Sequence, residues 1–277
     1  DITVNSVTIG KGANSVSNNT AIGVNALDAS VTGVDNTAIG SGALTDLTTG
    51  ADNTGVGRLS LADLTTGSHN TAIGCESLDA LSTGDHNTGL GKAALGSITT
   101  ASDNTAVGSG AAGSTTGSNN TAVGRSSLNA NTTGERNTAV GTRSLENQTT
   151  GTLNTAFGYE SGQANNATGI TAIGYKALEA NTTANYNTAI GYEALRYNTT
   201  GGTNGPNVAV GKFALFANTT GDNNIAISAL GSNTTGSQNT GVGAGALNSN
   251  TTADNNTALG YAALASNTTG TDNTAVG

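Results

Sequence analysis

Apolar residues in this chain come in short pairs, not in helical stripes. An Ala-Ile or Ala-Val pair is followed five residues later by Ala-Leu, and both are set among Gly, Thr, Asn and Ser. Aligned on Asn-Thr-Ala-Ile/Val-Gly, the closing Gly falls at positions 10, 23, 40, 57, 74, 91, 108, 124, 141, 158, 174, 191 and 211; position 228 is Ser, and Gly returns at 243, 260 and 277. Most intervals are 17 residues and none departs from that by more than four. The unit reads Asn-Thr-Ala-Ile/Val-Gly, two variable positions, Ala-Leu, two more, then Asn or Leu, Thr-Thr-Gly and two closing positions.

A repeat this short cannot hold a helical pair, which needs more than about 30 residues. Gly recurs too often for a two-turn helix, and β-branched Thr disfavours one. The pattern predicts two short strands per unit, on Thr-Ala-Ile and around Ala-Leu-x-x-Asn, with Thr-Thr-Gly-x-x as the return turn. Stacked units then form an all-β parallel β-solenoid or β-roll of about sixteen coils, each pairing with the next at about 4.8 Å. Residues 1–18 read as a degenerate first coil and lead-in segment. Residues 19–277 read as a continuous repeat, irregular at 201–207 and 227–239.

Strand alternation separates the columns. The larger Ile/Val residues, from Ile22, Ile39 and Val56 onward, are expected inside the coil, with Thr on their side and hidden with them. The neighbouring Ala21, Ala38, Ala72, Ala106, Ala122 and Ala139 are then expected outside, as a flat stripe against which another rod packs. Leu27, Leu44, Leu61, Leu78 and their successors form a second interior column. Asn36, Asn53, Asn70 and Asn87 stack in register and can hydrogen-bond along the ladder. Val31, Leu47, Leu64, Leu81 and Ile98 share a slot with Asn131, Asn181, Asn198, Asn218, Asn233, Asn250 and Asn267, so that slot points inward or lies at a corner. The Asn residues of this slot head Asn-Thr-Thr sequons, which also permits glycosylation, although coil geometry explains them without a sugar.

Composition narrows the function. Charged residues are 10% and aromatics 3% of the 277 residues, so a thick conventional core is not expected. No apolar run is long enough for a membrane span, and the single Cys75 excludes a disulfide scaffold. A net charge of −9 with nine scattered Lys and Arg disfavours nucleic acid. The chain starts at Asp1 and stops five residues into a unit at Gly277 without a cap, which predicts further residues after it in the native protein.

Candidate chemistry is sparse. His69 and His86 occupy one slot in successive coils, with Asp52 and Asp103 in the same column. Their rings are expected to stack, but two His without a third close ligand rarely hold zinc. Cys75 lies between them in sequence, without a nucleophile pattern around it. Asp28, Asp35, Asp46, Asp52 and Asp63 sit near turns, but the calcium-roll nonapeptide is absent. No catalytic, cofactor-binding or metal site is assigned, and the chain reads as a non-enzyme without cofactor. Slot seven of four successive coils holds Arg143, Glu160, Lys176 and Glu193, an alternating ladder expected to face outward.

The Ser/Asn-x-Ala-Ile-Gly motif followed by Ala-x-x-x-Gly resembles the head repeats of trimeric autotransporter adhesins. With its Asn-Thr-Thr-Gly extension, clean in Asn187 to Tyr197 followed by Asn198-Thr199-Thr200-Gly201, it is similar to repeats of bacteriophage long tail fibres. The resemblance implies a left-handed, homotrimeric roll serving as a fibre shaft in host-cell attachment on the virion, with a host receptor or glycan as partner. A bacterial surface adhesin head is the alternative. An ice-binding solenoid is the second alternative, motivated by regular Thr columns and opposed by their expected inward direction. Contact residues are expected where regularity fails, at 201–207 and 227–239.

Overall fold

The computed structural model describes residues 2–4, 7–199 and 205–277. The chain divides into two compact units, residues 1–137 and 138–277, and each is a parallel β-solenoid. In the first unit β1 (Ile2–Val4) and β2 (Val7–Gly10) form an antiparallel hairpin. β2 then pairs antiparallel with β3 (Thr20–Gly23), covering the free edge of the first coil. From β3 onward, through β4 (Thr37–Ile39) to β9 (Thr121–Val123), every strand pairs in parallel with the next, Thr on Thr and Ile or Val on its counterpart. The second unit runs from β10 (Thr138–Val140) to β18 (Thr274–Val276) in the same register. Among the described residues the only helical element is a 3-10 turn at Ala13–Ser15. The all-β solenoid with a 17-residue coil is therefore as the spacing predicts.

Each coil carries one short strand, of three residues from β4 onward, instead of two. The Ala-Leu stretch is a tight turn, in which Leu44, Leu61, Leu78 and Leu95 adopt left-handed φ of 51°, 53°, 53° and 55°. The residue two before Leu is left-handed as well, as at Leu59 (55°), Glu76 (56°) and Ala93 (52°). Two such residues in three bend the chain sharply, which a second strand could not do. Left-handed φ is unfavourable for residues carrying a Cβ. It is offset here because the bend drives Leu into the centre of the coil, where Leu27, Leu44, Leu61, Leu78, Leu95, Leu128 and Leu145 are fully buried.

The interior is therefore filled from the turn, and the strand supplies only a small residue. Ala21, Ala38, Ala72, Ala106 and Ala122 are 0% exposed, whereas Ile39, Ile73 and Leu90 are 36%, 41% and 43% exposed. This reverses the sequence expectation: Ala points inward and Ile/Val outward. Volume is the reason. Leu and the inward Ala already fill the narrow coil, and Gly55 and Gly89, which stand in the Ala column, lie against Ser60 and Ser77 of the turns. A Cβ on Gly89 would lie 2.6 Å from Ser77 Oγ. The Ala stripe is thus closed to another chain. The motif's Gly is required for its own reason: φ is 133° to 150° from Gly23 to Gly108, and a Cβ would strike the carbonyl of the next coil's Gly.

Polar ladders seal the remaining corners. Backbone N–H groups of the motif Asn residues donate to Oδ1 of the preceding coil's Asn, as for Asn36 to Asn19 (2.8 Å), Asn53 to Asn36 (3.0 Å) and Asn87 to Asn70 (2.9 Å), in a run that Ile170 interrupts. Nδ2 groups reach carbonyls of the return turn, as Asn53 does at Gly67 (2.9 Å) and Asn70 at Gly84 (2.8 Å). In the second unit another ladder links Asn165, Asn181, Asn198, Asn218, Asn233 and Asn250, Nδ2 to Oδ1, at 2.7–3.0 Å. In the first unit Val31, Leu47, Leu64, Leu81 and Ile98 fill this slot and are fully buried. The slot points inward, as expected. Asn131, Asn181, Asn198, Asn218, Asn233 and Asn250 are 0% exposed, so no sugar could be attached to them in the folded chain.

Candidate functional site

With Ala turned inward, each strand presents Thr and Ile or Val outward together. In the first unit the columns run through Thr37, Thr54, Thr71, Thr88, Thr105 and Thr121, and through Ile39, Val56, Ile73, Leu90, Val107 and Val123, half-buried to exposed throughout. Sheet geometry sets the columns about 6.6 Å apart and their members about 4.8 Å apart. The face is uncharged and apolar along one column. The second unit repeats it from Val140 to Val276, with Phe157 57% exposed in the Ile/Val column. The inward Thr assumed from the sequence is therefore corrected along with the inward Ile.

The His69 and His86 rings stack, with centroids 4.8 Å apart and planes 6° apart, and Asp52 Oδ2 lies 3.8 Å from His69 Nδ1. Among the described residues no three His, Cys, Asp or Glu come together around a common point. Cys75 is half-buried, and its sulfur accepts a hydrogen bond from Arg58 Nη2 at 3.3 Å, while Arg58 also pairs with Glu76. Of the irregular stretch 201–207, residues 201–204 lie outside the described residues.

The charge ladder is real and more elaborate than its four slot-seven residues. Glu160 lies between Arg143 (2.6 Å) and Lys176 (3.0 Å). A parallel column three residues on adds Glu146, Glu179 and Arg196: Arg143 meets Glu146 at 2.7 Å, Lys176 meets Glu179 at 2.8 Å, and Arg196 pairs with Glu179 and with Glu193 at 3.1 Å. Glu193, the fourth slot-seven residue, pairs with Arg196 of its own coil. The ladder is less outward than expected, since the Glu160 side chain is 6% exposed. Burial pushes the Glu160 carboxyl up, but hydrogen bonds from Lys176 and Tyr159 and the charges of Lys176 and Arg143 hold it below its ordinary value.

The sequence reading passed over the aromatic residues. Eight of the nine lie between 157 and 216. Tyr159, Tyr175 and Tyr192 follow the motif Gly in three successive coils, and their rings stack at 5.5 and 5.0 Å with planes 10° apart. In the next coil Lys212 takes the Tyr slot, and Phe213, one residue on, packs edge-on against Tyr192 (5.5 Å); Phe216 meets Phe213 at 5.2 Å and Tyr197 meets Phe216 at 5.0 Å. The signal was the concentration of Tyr and Phe in an aromatic-poor chain. Comparison with protein-family models, with characterised proteins and with solved structures gives no match.

Proposed function

We propose that the chain is a structural shaft segment of a phage tail fibre serving host-cell attachment, assembled as a homotrimer through the outward Thr–Ile/Val face. The observation that carries this reading is the face itself. It is an uncharged stripe of half-exposed β-branched residues repeated once per coil. A partner that follows it without losing step must have the same period, and a second copy of this chain has that period. Burying the Ile/Val column would remove several hundred Å² of apolar surface from water, a patch size that on a soluble protein marks an interaction site. Uniform coils supply length and stiffness, which suits a shaft.

A bacterial surface adhesin head would use the same fold and the same face. Immunogold labelling with antibody raised against this chain tests the choice: labelling along the tail fibres of purified virions is expected, and labelling confined to bacterial surfaces would move the function to the adhesin. The ice-binding reading gains one specific observation, the outward Thr column. It requires the face to be free of sister chains, so a monomeric protein that blocks ice recrystallisation at micromolar concentration would replace the fibre reading.

A further inference from the structure

The aromatic column of the second unit differs from the rest of the solenoid in chemistry, not in fold. Tyr159, Tyr175, Tyr192 and Phe213 are each 39–45% exposed although their rings touch. Stacking turns the faces of the three Tyr rings toward one another, so the ring edges are what meets solvent. The result is a comb of phenols at coil spacing. Beside it the carboxylates are already engaged by cations: Glu160 holds Arg143 and Lys176, and Glu193 holds Arg196. With those carboxylates taken up by cations, the phenol oxygens can serve as acceptors for an outside donor. At the end of the comb, Lys212 Nζ lies 4.9 Å from the Phe213 ring centre and 5.8 Å from that of Tyr192. It is exposed, and among the described residues it has no carboxylate partner.

We propose that this strip, Tyr159 to Phe213 with Lys212, binds an extended acidic polysaccharide lying along the solenoid. The inference rests on the attachment reading above and names its ligand class. The rise of one pyranose in an extended β-linked chain is close to one coil spacing, so successive sugars meet successive phenols in register. Sugar hydroxyls donate to the phenol oxygens, sugar C–H edges lie against the ring rims, and a uronate carboxylate meets the Lys212 ammonium. A protein partner would need the same single-coil period to use the comb, and the occupant of that kind is a second copy of this chain.

The test titrates the full chain with cellohexaose and with a β-1,4-mannuronate hexamer, followed by calorimetry and by tyrosine fluorescence, which no Trp obscures. The mannuronate should bind at least tenfold more tightly than cellohexaose, and Lys212→Gln should bring the two together. Tyr175→Phe, which keeps the ring ladder, should weaken both, and Tyr175→Ala with Tyr192→Ala should abolish both, with the sedimentation coefficient unchanged. Absence of binding by the unmutated chain at millimolar sugar, or equal binding by wild type and the double Tyr variant, would overturn the proposal. Tyr variants that change the sedimentation coefficient would reassign the strip to contact between copies. A chain that proves monomeric while still binding mannuronate would sink the trimer and leave the strip standing.

Discussion

At the scale of single residues, the most informative position is Glu160. Its two cations and its near-complete burial make it the keystone of the ion ladder, with Arg143 more exposed and so contributing less. Removing the acid leaves Arg143 with Glu146 and Lys176 with Glu179, and Glu160→Lys places three cations in succession. We expect that variant to lose about 2 kcal/mol or more of stability, an effect read by calorimetry that lessens in high salt. The pH dependence has a definite sign. Because the folded carboxyl titrates below its ordinary value of 4.5, its contribution is complete above that value and is lost as pH falls through the lowered one. Glu160→Gln should flatten the fall in melting temperature on acidification, and a wild-type melting temperature insensitive to acid below pH 4.5 would contradict the assignment. The ladder was legible from the sequence because register follows from spacing. The contribution of Glu146, Glu179 and Arg196 was not, because it depends on how the turn bends.

At the scale of the coil, the instructive error concerns Ala and Ile. Alternation says that Ala38 and Ile39 face opposite ways, but not which of them faces in. Size preference would place Ile inside, and that fails because Leu44 reaches the interior from a turn with left-handed φ at a non-glycine residue. Nothing in Ala-Leu-Thr-Asp announces such a backbone. The Leu, Asn and His columns were legible, since identical residues at identical slots must stack whatever the coil's outline. Two outcomes follow. Ala106→Glu buries a carboxylate with no partner, and should unfold the coil by more than about 3 kcal/mol rather than merely separate subunits. Ala93→Gly should do the reverse of an ordinary Ala-to-Gly change. Ala93 sits at φ 52°, so Gly removes a left-handed cost of about 1–2 kcal/mol and adds about 0.5–1 kcal/mol of unfolded-chain entropy. A rise in melting temperature is expected, and a fall would show that the turn is not held in the left-handed region.

At the scale of the whole molecule, each unit hides its small residues and shows its β-branched ones, the opposite of the stripe first expected to join chains. The same inversion that closes the Ala stripe opens the Thr–Ile/Val face, and the account stands on that face being covered by further copies. The most direct measurement is sedimentation equilibrium of the unmutated chain at micromolar concentration, beside the double variant Ile39→Glu and Ile73→Glu. Both substitutions lie on outward positions that are 36% and 41% exposed, so the variant should keep its β circular dichroism. The unmutated protein should sediment at three times the 26.9 kDa chain mass and the variant at a single chain mass. An unmutated protein that sediments as a stable monomer, or a variant that keeps the trimer mass, would contradict it.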